Sequence, residues 1–374
     1  MKKSLKDIQN CLVSKKTPDE AARRRCNDPA MDQDLEIIEL GSPYGVDAYT
    51  KILNSKAIRR LYSKTQVIST SANAHIRTRA THTFEVTATN SLIARTLGLN
   101  EGLCIAMAMG HDLGHTPFGH QGEKIIGKFI GREFKHQVMS VIICQHIERS
   151  GRGLNLTWQT LEGILNHSRS NKTLEPGKNV SQESNAVMCA DKISYICSDF
   201  NDIFVRTNLL YLDDFPELKR LINQCGANQR ARMLFFVRAL CYESAEKGSV
   251  EFKDSSEAKI FEEIKKIMYA SVYPVVNYVE AEQTLIRVYE ILNEYESLKS
   301  STISPAMILA LMTDADIVNL INRLDAELTC GFLNARRKTA IVKEILNRSS
   351  VSDILKNARI MGKQIDFANP DMDW

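Results

Sequence analysis

Apolar residues recur at three- or four-residue spacing along most of this chain, and this spacing limits the folds that it can adopt. The clearest example follows Thr83, where one helical face carries Val86, Asn90, Ile93 and Leu97. Gly98 follows directly and predicts the end of that helix. Residues 103–109 are apolar on nearly every side, which predicts a short helix inside the core.

The rest of the chain shows the same helical pattern. We predict helices after Gly119 and over residues 136–149, 216–225, 228–246, 255–270, 280–298, 314–330 and 335–347. Residues 169–184 are rich in Ser, Asn, Lys, Gly and Pro, and predict a loop. Period-two runs typical of strands are absent, with one exception near 272–279. The sequence therefore predicts an all-α fold.

A chain of 374 residues is long enough for one large domain or two smaller ones. We predict an N-terminal arm over residues 1–50, a core over 51–210 and a helical C-terminal region over 211–374 that packs on it. The net charge of +3 is nearly balanced and argues against a dedicated nucleic-acid coat protein.

The cysteines and the hydropathy predict a cytoplasmic protein. Nine cysteines, an odd number, are scattered without a CxxC pair, which is atypical of a secreted disulfide framework. No apolar stretch follows the N-terminal lysines, and no run approaches the ~20 apolar residues that span a bilayer. We therefore expect no membrane partner.

Histidines crowd into one helical region. Six of the eight lie within 65 residues, at His82, His111, His115, His120, His136 and His146. His111 and Asp112 are adjacent and end an apolar helix, where a buried carboxylate is costly unless it is paired or bound to a metal. Imidazole and carboxylate side chains suit a divalent cation, and His82 and Asp191 could complete the site.

Further groups share helical faces near this predicted site. Asp191, Tyr195 and Asp199 are four residues apart and form one stripe on a helix. His120 and Glu123 are three residues apart, so that the carboxylate can orient the imidazole for proton transfer. His136 begins the next predicted helix and could reach the same space.

Several of these residues also have a purely structural interpretation. A single histidine on an apolar helix is more often a hydrogen-bonded core residue, which is our interpretation of His146 and His167. His75 is interpreted as a surface loop residue. The basic runs Arg23–Arg25 and Arg336–Lys338 are more often solvated surface than contacts for an anion or a partner.

The chain resembles the deoxyguanosinetriphosphate triphosphohydrolase-like (dNTP triphosphohydrolase) family of the HD superfamily. The resemblance covers roughly residues 50–210. It rests on residues 64–67 (KTQV), 77–83 (RTRATHT), 111–123 (HDLGHTPFGHQGE), 156–165 (LTWQTLEGIL) and 190–192 (ADK), with Tyr195 and Asp199. It implies an HD-domain helical core with additional C-terminal helices. The implied reaction is metal-dependent cleavage of a dNTP into deoxynucleoside and inorganic tripolyphosphate by attack at the α-phosphate.

The resemblance also implies a role for each site residue. The metal ligands would be His82, His111, Asp112 and Asp191, and the catalytic residues His120, Glu123 and His136. Arg79 and Lys192 would contact phosphate, and His115 would be a further pocket residue. Gln66, Tyr195 and Asp199 would recognise the deoxyribose, with Tyr195 crowding out a 2′-hydroxyl.

Metal identity and partners stay open at this point. The ligand set suits Mn²⁺, Mg²⁺, Fe²⁺, Ni²⁺ or Zn²⁺. The family implies homo-oligomers built from dimers, hexamers among them, and allows a dNTP effector and single-stranded DNA as further ligands. The alternatives are another HD phosphohydrolase, such as a nucleotidase or a signalling-nucleotide hydrolase, and a nucleotide- or DNA-binding regulatory protein without catalysis.

Overall fold

The computed structural model describes residues 5–68, 73–168, 174–177, 179–276, 280–295 and 304–357. Several sequence predictions reach beyond them: residues 169–173 and 178 of the predicted loop, residues 277–279 of the strand-like pattern, the last residues of the helix predicted over 280–298, and residues 1–4 and 358–374 of the predicted arm and C-terminal region lie outside this range. The loop prediction over 169–184 was wrong at its end, because a helix already begins at Gln182, where Ser181 caps it.

The described chain is built from helices, whose bounds follow the predicted spacing. They are α1 Pro43–Gly45, α2 Lys56–Arg60, α3 Arg79–Leu97, α4 Glu101–Gly110, α5 Gly119–Ile130, α6 His136–Ile142, α7 Trp158–Asn166, α8 Gln182–Asn201, α9 Pro216–Cys225, α10 Gln229–Lys247, α11 Ser256–Ile267, α12 Tyr273–Val276, α13 Glu280–Glu294, α14 Pro305–Leu311, α15 Asp314–Thr329, α16 Ala335–Arg348 and α17 Ser352–Asn357. Wider π-helical turns occur at Val46–Ile52, Ile143–Ile147, Asp202–Arg206 and Met268–Val272.

Local signals explain where the helix that carries His82 begins and ends. Thr78 and Thr81 form a capping box, in which each threonine side chain accepts a hydrogen bond from the other's backbone N–H. Gly98 ends α3 with φ +80°, a left-handed conformation that glycine adopts without a steric penalty. These two signals fix the length of α3, which packs against α4 and α8.

The strand-like pattern near 272–279 was a wrong prediction for its described part. Residues 268–276 are helical, first as a π turn and then as α12. Val272 and Val276 are buried and four residues apart, so they lie on one helical face. Among the described residues there is no strand, only an isolated antiparallel bridge between Thr65 and Thr78. The all-α prediction is confirmed.

Two hydrophobic clusters form the core, and each draws on both sides of residue 210. One joins residues of α4–α7 to α13–α16, and the other joins α3, α4 and α8 to α9–α11. The predicted boundaries at 50 and 210 stay a prediction. The described C-terminal helices are nevertheless packed into both clusters.

The N-terminal segment lies on the body of the protein through buried side chains. Ile8 and Leu12 are each 1% exposed, and Leu12 N–H donates to Leu97 O at the end of α3. Arg24 is buried and pairs with Asp47, whereas Arg23 lies over the ring of Trp158. The central arginine of this basic run is therefore a structural residue and not a solvated one.

The basic run at the start of α16 is exposed and paired on the surface. Arg337 contacts Glu327 at 2.7 Å and Lys338 contacts Glu294 at 2.6 Å. Surface pairs of this kind contribute little to stability, because solvent screens them.

Within the described ranges, no single helix is both long and apolar enough to cross a membrane. Helices α14 and α15 satisfy the length and composition criteria only as a pair, and they are bent by 113° relative to each other.

Candidate active site

A cavity of about 350 Å³ lies among α3, α5, α6, α8 and the 268–274 segment. Polar side chains line much of it: Gln66, Arg79, His82, Asp112, His115, His120, Gln121, Lys124, His136, Ser168, Asp191, Tyr195, Asp199, Tyr269 and Tyr273. Its volume is at the lower end of the roughly 300–1,000 Å³ typical of small-molecule sites. The cavity therefore brings together residues that are more than 200 positions apart in the sequence.

The turn that follows α4 presents His111 and Asp112. It packs directly against α6, where Ser140 Oγ donates to His111 O and accepts from Gly114 N–H. A Cβ atom at Gly114 would lie only 2.2 Å from Ser140 N, so only glycine allows this close approach. Gly114 is thus required to hold the turn against its neighbour.

Four predicted metal ligands converge at the inner end of the cavity, and we call them the HD cluster: His82, His111, Asp112 and Asp191. His82 Nε2 lies 3.0 Å from Asp191 Oδ1 and 3.9 Å from Asp112 Oδ2. His111 Nε2 lies 3.4 Å from Asp112 Oδ1 and 3.7 Å from Asp191 Oδ1. Atoms that each bind one ion at about 2 Å are separated by distances of this order.

The hydrogen bonding of His111 fits a cation at this point. Its Nδ1 lies 2.6 Å from Ala108 O, so Nδ1 carries the proton and Nε2 keeps its lone pair. Nε2 is buried and has no hydrogen-bond partner. A buried acceptor without a partner is costly, and a divalent cation would satisfy it together with the two carboxylates. His82 Nδ1 has no hydrogen-bond partner, so packing and the contact of Nε2 with Asp191 Oδ1 orient that ring.

Both carboxylates of the HD cluster are held in their ionised form. Burial raises the pKa of Asp112, but His111, His115 and Arg79 outweigh it and hold that pKa well below its usual value. Burial likewise raises the pKa of Asp191, and the hydrogen bond from His82 reverses the shift. Two ionised carboxylates next to imidazole nitrogens are the donor set that divalent metals prefer.

A second group, the Glu123 cluster, lies beside the first and consists of His115, His120, Glu123 and His136. The Nδ1 atoms of three imidazoles surround one carboxylate, at 3.0 Å for His115, 3.1 Å for His120 and 2.8 Å for His136. The rings of His115 and His136 are stacked with their centroids 3.9 Å apart. His120 differs from the others because 56% of its side chain is exposed towards the cavity and solvent.

The charges of this cluster are unequal. Burial raises the pKa of Glu123, but the three histidines hold it well below its usual value. Burial lowers the pKa of His136, and Glu123 reverses this and raises it. Burial, Arg79 and His136 lower the pKa of His115 to about 4. The cluster therefore combines an anionic Glu123 with a protonated His136 and a neutral His115.

His167 is a buried, hydrogen-bonded histidine, as we interpreted it from the sequence, and its side-chain partner belongs to the Glu123 cluster. It is 1% exposed, its Nδ1 lies 2.7 Å from Ile164 O, and its Nε2 lies 3.1 Å from His136 Nε2. Burial, followed by His111 and His136, lowers its pKa to about 3, so it is neutral and accepts a hydrogen bond from His136. Its place directly after the apolar helix α7 resembled that of an ordinary core histidine, and nothing local indicated His136 as its partner.

The far wall of the cavity carries the residues predicted to bind the sugar. Gln66 Oε1 is buried without a hydrogen-bond partner, and Tyr195 OH lies 3.0 Å from Tyr269 OH. Asp199 accepts from Arg77 through one oxygen and from Tyr273 OH, at 2.7 Å, through the other. Burial raises the pKa of Asp199, against the effect of Arg77. Tyr269 and Tyr273 were not predicted, because their position opposite α8 has no local sequence signal.

Two residues predicted to contact phosphate have different surroundings. Arg79 lines the cavity, where it donates to Asp112 Oδ2 at 2.9 Å and its buried Nε has no partner. Lys192 is buried, and its pKa is lowered by burial and by Lys265. It is not among the side chains that line the described cavity, whereas the unpredicted cation Lys124 is. The phosphate role of Lys192 therefore stays a prediction without a geometric basis.

Known proteins are similar to this chain both within the helical region around the HD cluster and over a longer part of the sequence. The HD domain family model matches residues 79–196, which span α3 to α8 and carry the whole HD cluster. A deoxyguanosinetriphosphate triphosphohydrolase-like protein from Clostridium tetani is 36% identical over 260 residues, which is 68% of this chain and 73% of the relative. The chain belongs to the deoxyguanosinetriphosphate triphosphohydrolase-like family of HD-domain proteins.

Other relatives of this family support the same assignment. A protein of the same name from Caldanaerobacter subterraneus subsp. tengcongensis is 41% identical over 224 residues, 60% of this chain and 63% of the relative. One from Desulfatibacillum aliphaticivorans is 36% identical over 250 residues, 64% of this chain and 70% of the relative. The match to the Caldanaerobacter protein thus covers somewhat less than two thirds of its length.

Proposed function

We propose that this protein hydrolyses deoxynucleoside triphosphates to the deoxynucleoside and inorganic tripolyphosphate. The observation that carries the proposal is that one cavity is lined by members of the HD cluster, by the three histidines of the Glu123 cluster and by a wall that contains Tyr195, Tyr269 and Tyr273. We assign cation binding to the first group, proton transfer to the second and sugar binding to the third. The name of the relatives, deoxyguanosinetriphosphate triphosphohydrolase-like, supports the same reaction.

In the proposed reaction a water oxygen attacks the α-phosphorus. A bond forms between that oxygen and phosphorus, the bond from phosphorus to the sugar O5′ breaks, and one proton passes from the water side to O5′. A divalent cation at His82, His111, Asp112 and Asp191 would supply Lewis acidity to a phosphoryl oxygen and lower the pKa of a water molecule.

The protein side chains handle the charge and the proton. Arg79 and Lys124 line the cavity and provide positive charge for a triphosphate, which carries about four negative charges near neutral pH. His120 turns its Nδ1 to Glu123, so its Nε2 is free to exchange a proton with the reacting oxygen. Glu123 orients His120, and the protonated His136 holds Glu123 in place through a hydrogen bond to its other oxygen.

The far wall suits a deoxyribose. Gln66 Oε1 is a buried acceptor in need of a donor, which a sugar hydroxyl can provide. Each oxygen of Asp199 already accepts one hydrogen bond and can accept a second. Tyr195, held by Tyr269, would crowd the position of a 2′-hydroxyl and so disfavour ribonucleotides.

Product analysis tests this proposal. The purified protein is incubated with each dNTP and NTP and with Mn²⁺ or Mg²⁺, with and without a second dNTP as an activator, and products are separated by anion-exchange chromatography. We expect deoxynucleoside and tripolyphosphate in equal amounts, and slower turnover of ribonucleotides. Release of a monophosphate with pyrophosphate, or of orthophosphate, would contradict the proposal and favour another HD phosphohydrolase.

A further inference from the structure

The C-terminal helix α15 contacts the candidate active site through one buried carboxylate. Asp314 is 2% exposed, and its two oxygens accept hydrogen bonds from two backbone N–H groups that are far away in sequence. Oδ2 accepts from Thr65 N–H at 2.9 Å, and Oδ1 accepts from Phe118 N–H at 3.0 Å. One side chain therefore joins the loop before α3 to the loop between α4 and α5.

Each of these loops carries a residue of the proposed reaction. Gln66 follows Thr65 and lines the cavity, and His120 lies two residues beyond Phe118. Phe118 has φ +56°, a left-handed conformation that is uncommon for an aromatic residue and persists only where its surroundings hold it. The hydrogen bond from Phe118 N–H to Asp314 helps to stabilise this backbone conformation.

Lys64 makes a parallel connection between the same parts of the molecule. Its buried Nζ donates to His115 O and, at 3.2 Å, to Ala310 O of α14. Lys64 O in turn accepts from Arg79 N–H at 3.0 Å, at the start of α3. Helix α15 thus contacts the backbone of Thr65 and Phe118 through Asp314, and the side chain of Lys64 links α14 to the backbone of His115.

Asp314 is not needed to cap its own helix. Thr313 is the N-cap residue of α15, and it forms a complete capping box with Asp316. Burying a carboxylate is costly unless hydrogen bonds compensate it, and the hydrogen bonds that compensate Asp314 come from Thr65 and Phe118, in the loops of the site. Helix formation alone therefore does not explain why an acid occupies this position.

We propose that Asp314 is a positioning residue, which holds the backbone of Thr65 and Phe118 so that Gln66 and His120 face the same cavity. This inference rests on the proposed function for its effect on turnover. Its effect on the two backbone amides does not depend on that function.

The test compares Asp314→Asn with Asp316→Asn, two acids in the same turn of α15. Asparagine at 314 keeps the size but presents an NH₂ group to one of the two N–H donors, which leaves that donor unsatisfied. We expect kcat for the dNTP to fall about 10–100-fold, since a displacement of about 1 Å in a reacting group can cost about 10²-fold. The Kd for Mn²⁺, measured by calorimetry, should stay within about threefold because no ligand of the HD cluster is touched.

Asp316→Asn is the matched control, because it weakens the capping box and the contact with Ser350 without reaching either loop. It should lower Tm and leave kcat within about twofold. Hydrogen exchange gives a second readout: the amides of Thr65 and Phe118 should exchange at least about tenfold faster in Asp314→Asn and at the wild-type rate in Asp316→Asn.

The proposal is overturned if Asp314→Asn keeps wild-type kcat and exchange rates, or if both variants lower kcat to the same extent. Should Asp314→Asn fail to fold, Asp314→Glu keeps both oxygens, shifts them by one methylene and should still lower kcat and speed exchange at residues 65 and 118. If the wild-type protein releases no tripolyphosphate from any dNTP, the proposed function fails. The exchange comparison still decides the positioning role in that case.

Discussion

The HD cluster and the Glu123 cluster lie side by side, and both combine histidines with carboxylates. They differ in the ratio of carboxylates to imidazoles and in how the buried groups are paired. In the HD cluster the imidazole nitrogen His111 Nε2 is buried without a hydrogen bond, and two ionised carboxylates share the space. In the Glu123 cluster one carboxylate is surrounded by three imidazoles. The first arrangement is suited to bind a cation, whereas in the second the single carboxylate is paired with imidazoles of its own cluster, above all His136.

This difference indicates that similar residues in one site serve two chemical roles. A group of ligands with an unmet acceptor is suited to bind a metal. A group in which an imidazole is oriented by a carboxylate and reaches solvent is suited to move protons. Composition alone would allow a metal in either cluster, and both are groups of close donor atoms.

The largest effect should come from breaking the HD cluster. His111→Ala removes a metal ligand, and we expect kcat/KM to fall at least about 10³-fold, because a catalytic metal contributes several kcal/mol. Metal analysis by mass spectrometry should show loss of the bound ion. His75→Ala, a change at an exposed loop residue, is the control and should retain both properties. Near-normal turnover in His111→Ala would end the assignment of the HD cluster.

A smaller effect should follow from breaking the Glu123 cluster. His120→Ala removes the exposed imidazole, and kcat should fall about 10²–10⁴-fold, the range typical of general acid–base catalysis. The metal content should equal that of the wild-type protein, since His120 is no part of the HD cluster. If His120→Ala loses the metal instead, the two clusters have been assigned the wrong way round.

The next effect concerns the residue that links the clusters. His167→Gln replaces the imidazole that accepts a hydrogen bond from His136 with a shorter amide side chain. We expect kcat to fall about 10-fold, near the lower end of the losses seen when a residue that orients a functional group is changed. His146→Gln is the matched control, because His146 also lies at the end of an apolar helical stretch, in the π-helical turn Ile143–Ile147, but belongs to neither cluster. Equal kinetic losses in the two variants would show that His167 acts only through stability.

The smallest effect is a change of stability with pH at Lys64. Burial lowers the pKa of Lys64 to about 7, whereas the unfolded chain keeps a normal lysine near 10.4. Between these values the unfolded state binds more protons than the folded state, so stability rises with pH. From pH 7 to 9 the free energy of unfolding of the wild-type protein should rise by about 2 kcal/mol relative to Lys64→Met. Denaturant titrations at both pH values measure this, and parallel pH profiles would contradict it.

The sequence predicted the parts of the site that depend on local patterns. His111 and Asp112 end an apolar helix, and Asp191, Tyr195 and Asp199 share one helical stripe, so spacing alone grouped them. Gly98 marked the end of α3 for a steric reason that holds in any fold. Such signals act within a few residues and need no knowledge of the tertiary structure.

The sequence did not predict contacts that arise only from packing. His167 meets His136 because α6 and α7 pack together, and Asp314 meets Thr65 and Phe118 across 249 and 196 positions of sequence. The segment near Val272 was misread as a possible strand, since its β-branched residues fit either period over so short a length. Pairing between distant segments has no local signature, and these contacts could not be read from the chain.

The most direct test of the account is the position of a bound metal. Crystals grown with Mn²⁺ should give an anomalous difference peak within about 2.3 Å of the Nε2 atoms of His82 and His111 and of carboxylate oxygens of Asp112 and Asp191. We expect no peak of comparable height at the Glu123 cluster. A peak bound by His115, His120 and Glu123, with the HD cluster empty, would contradict it.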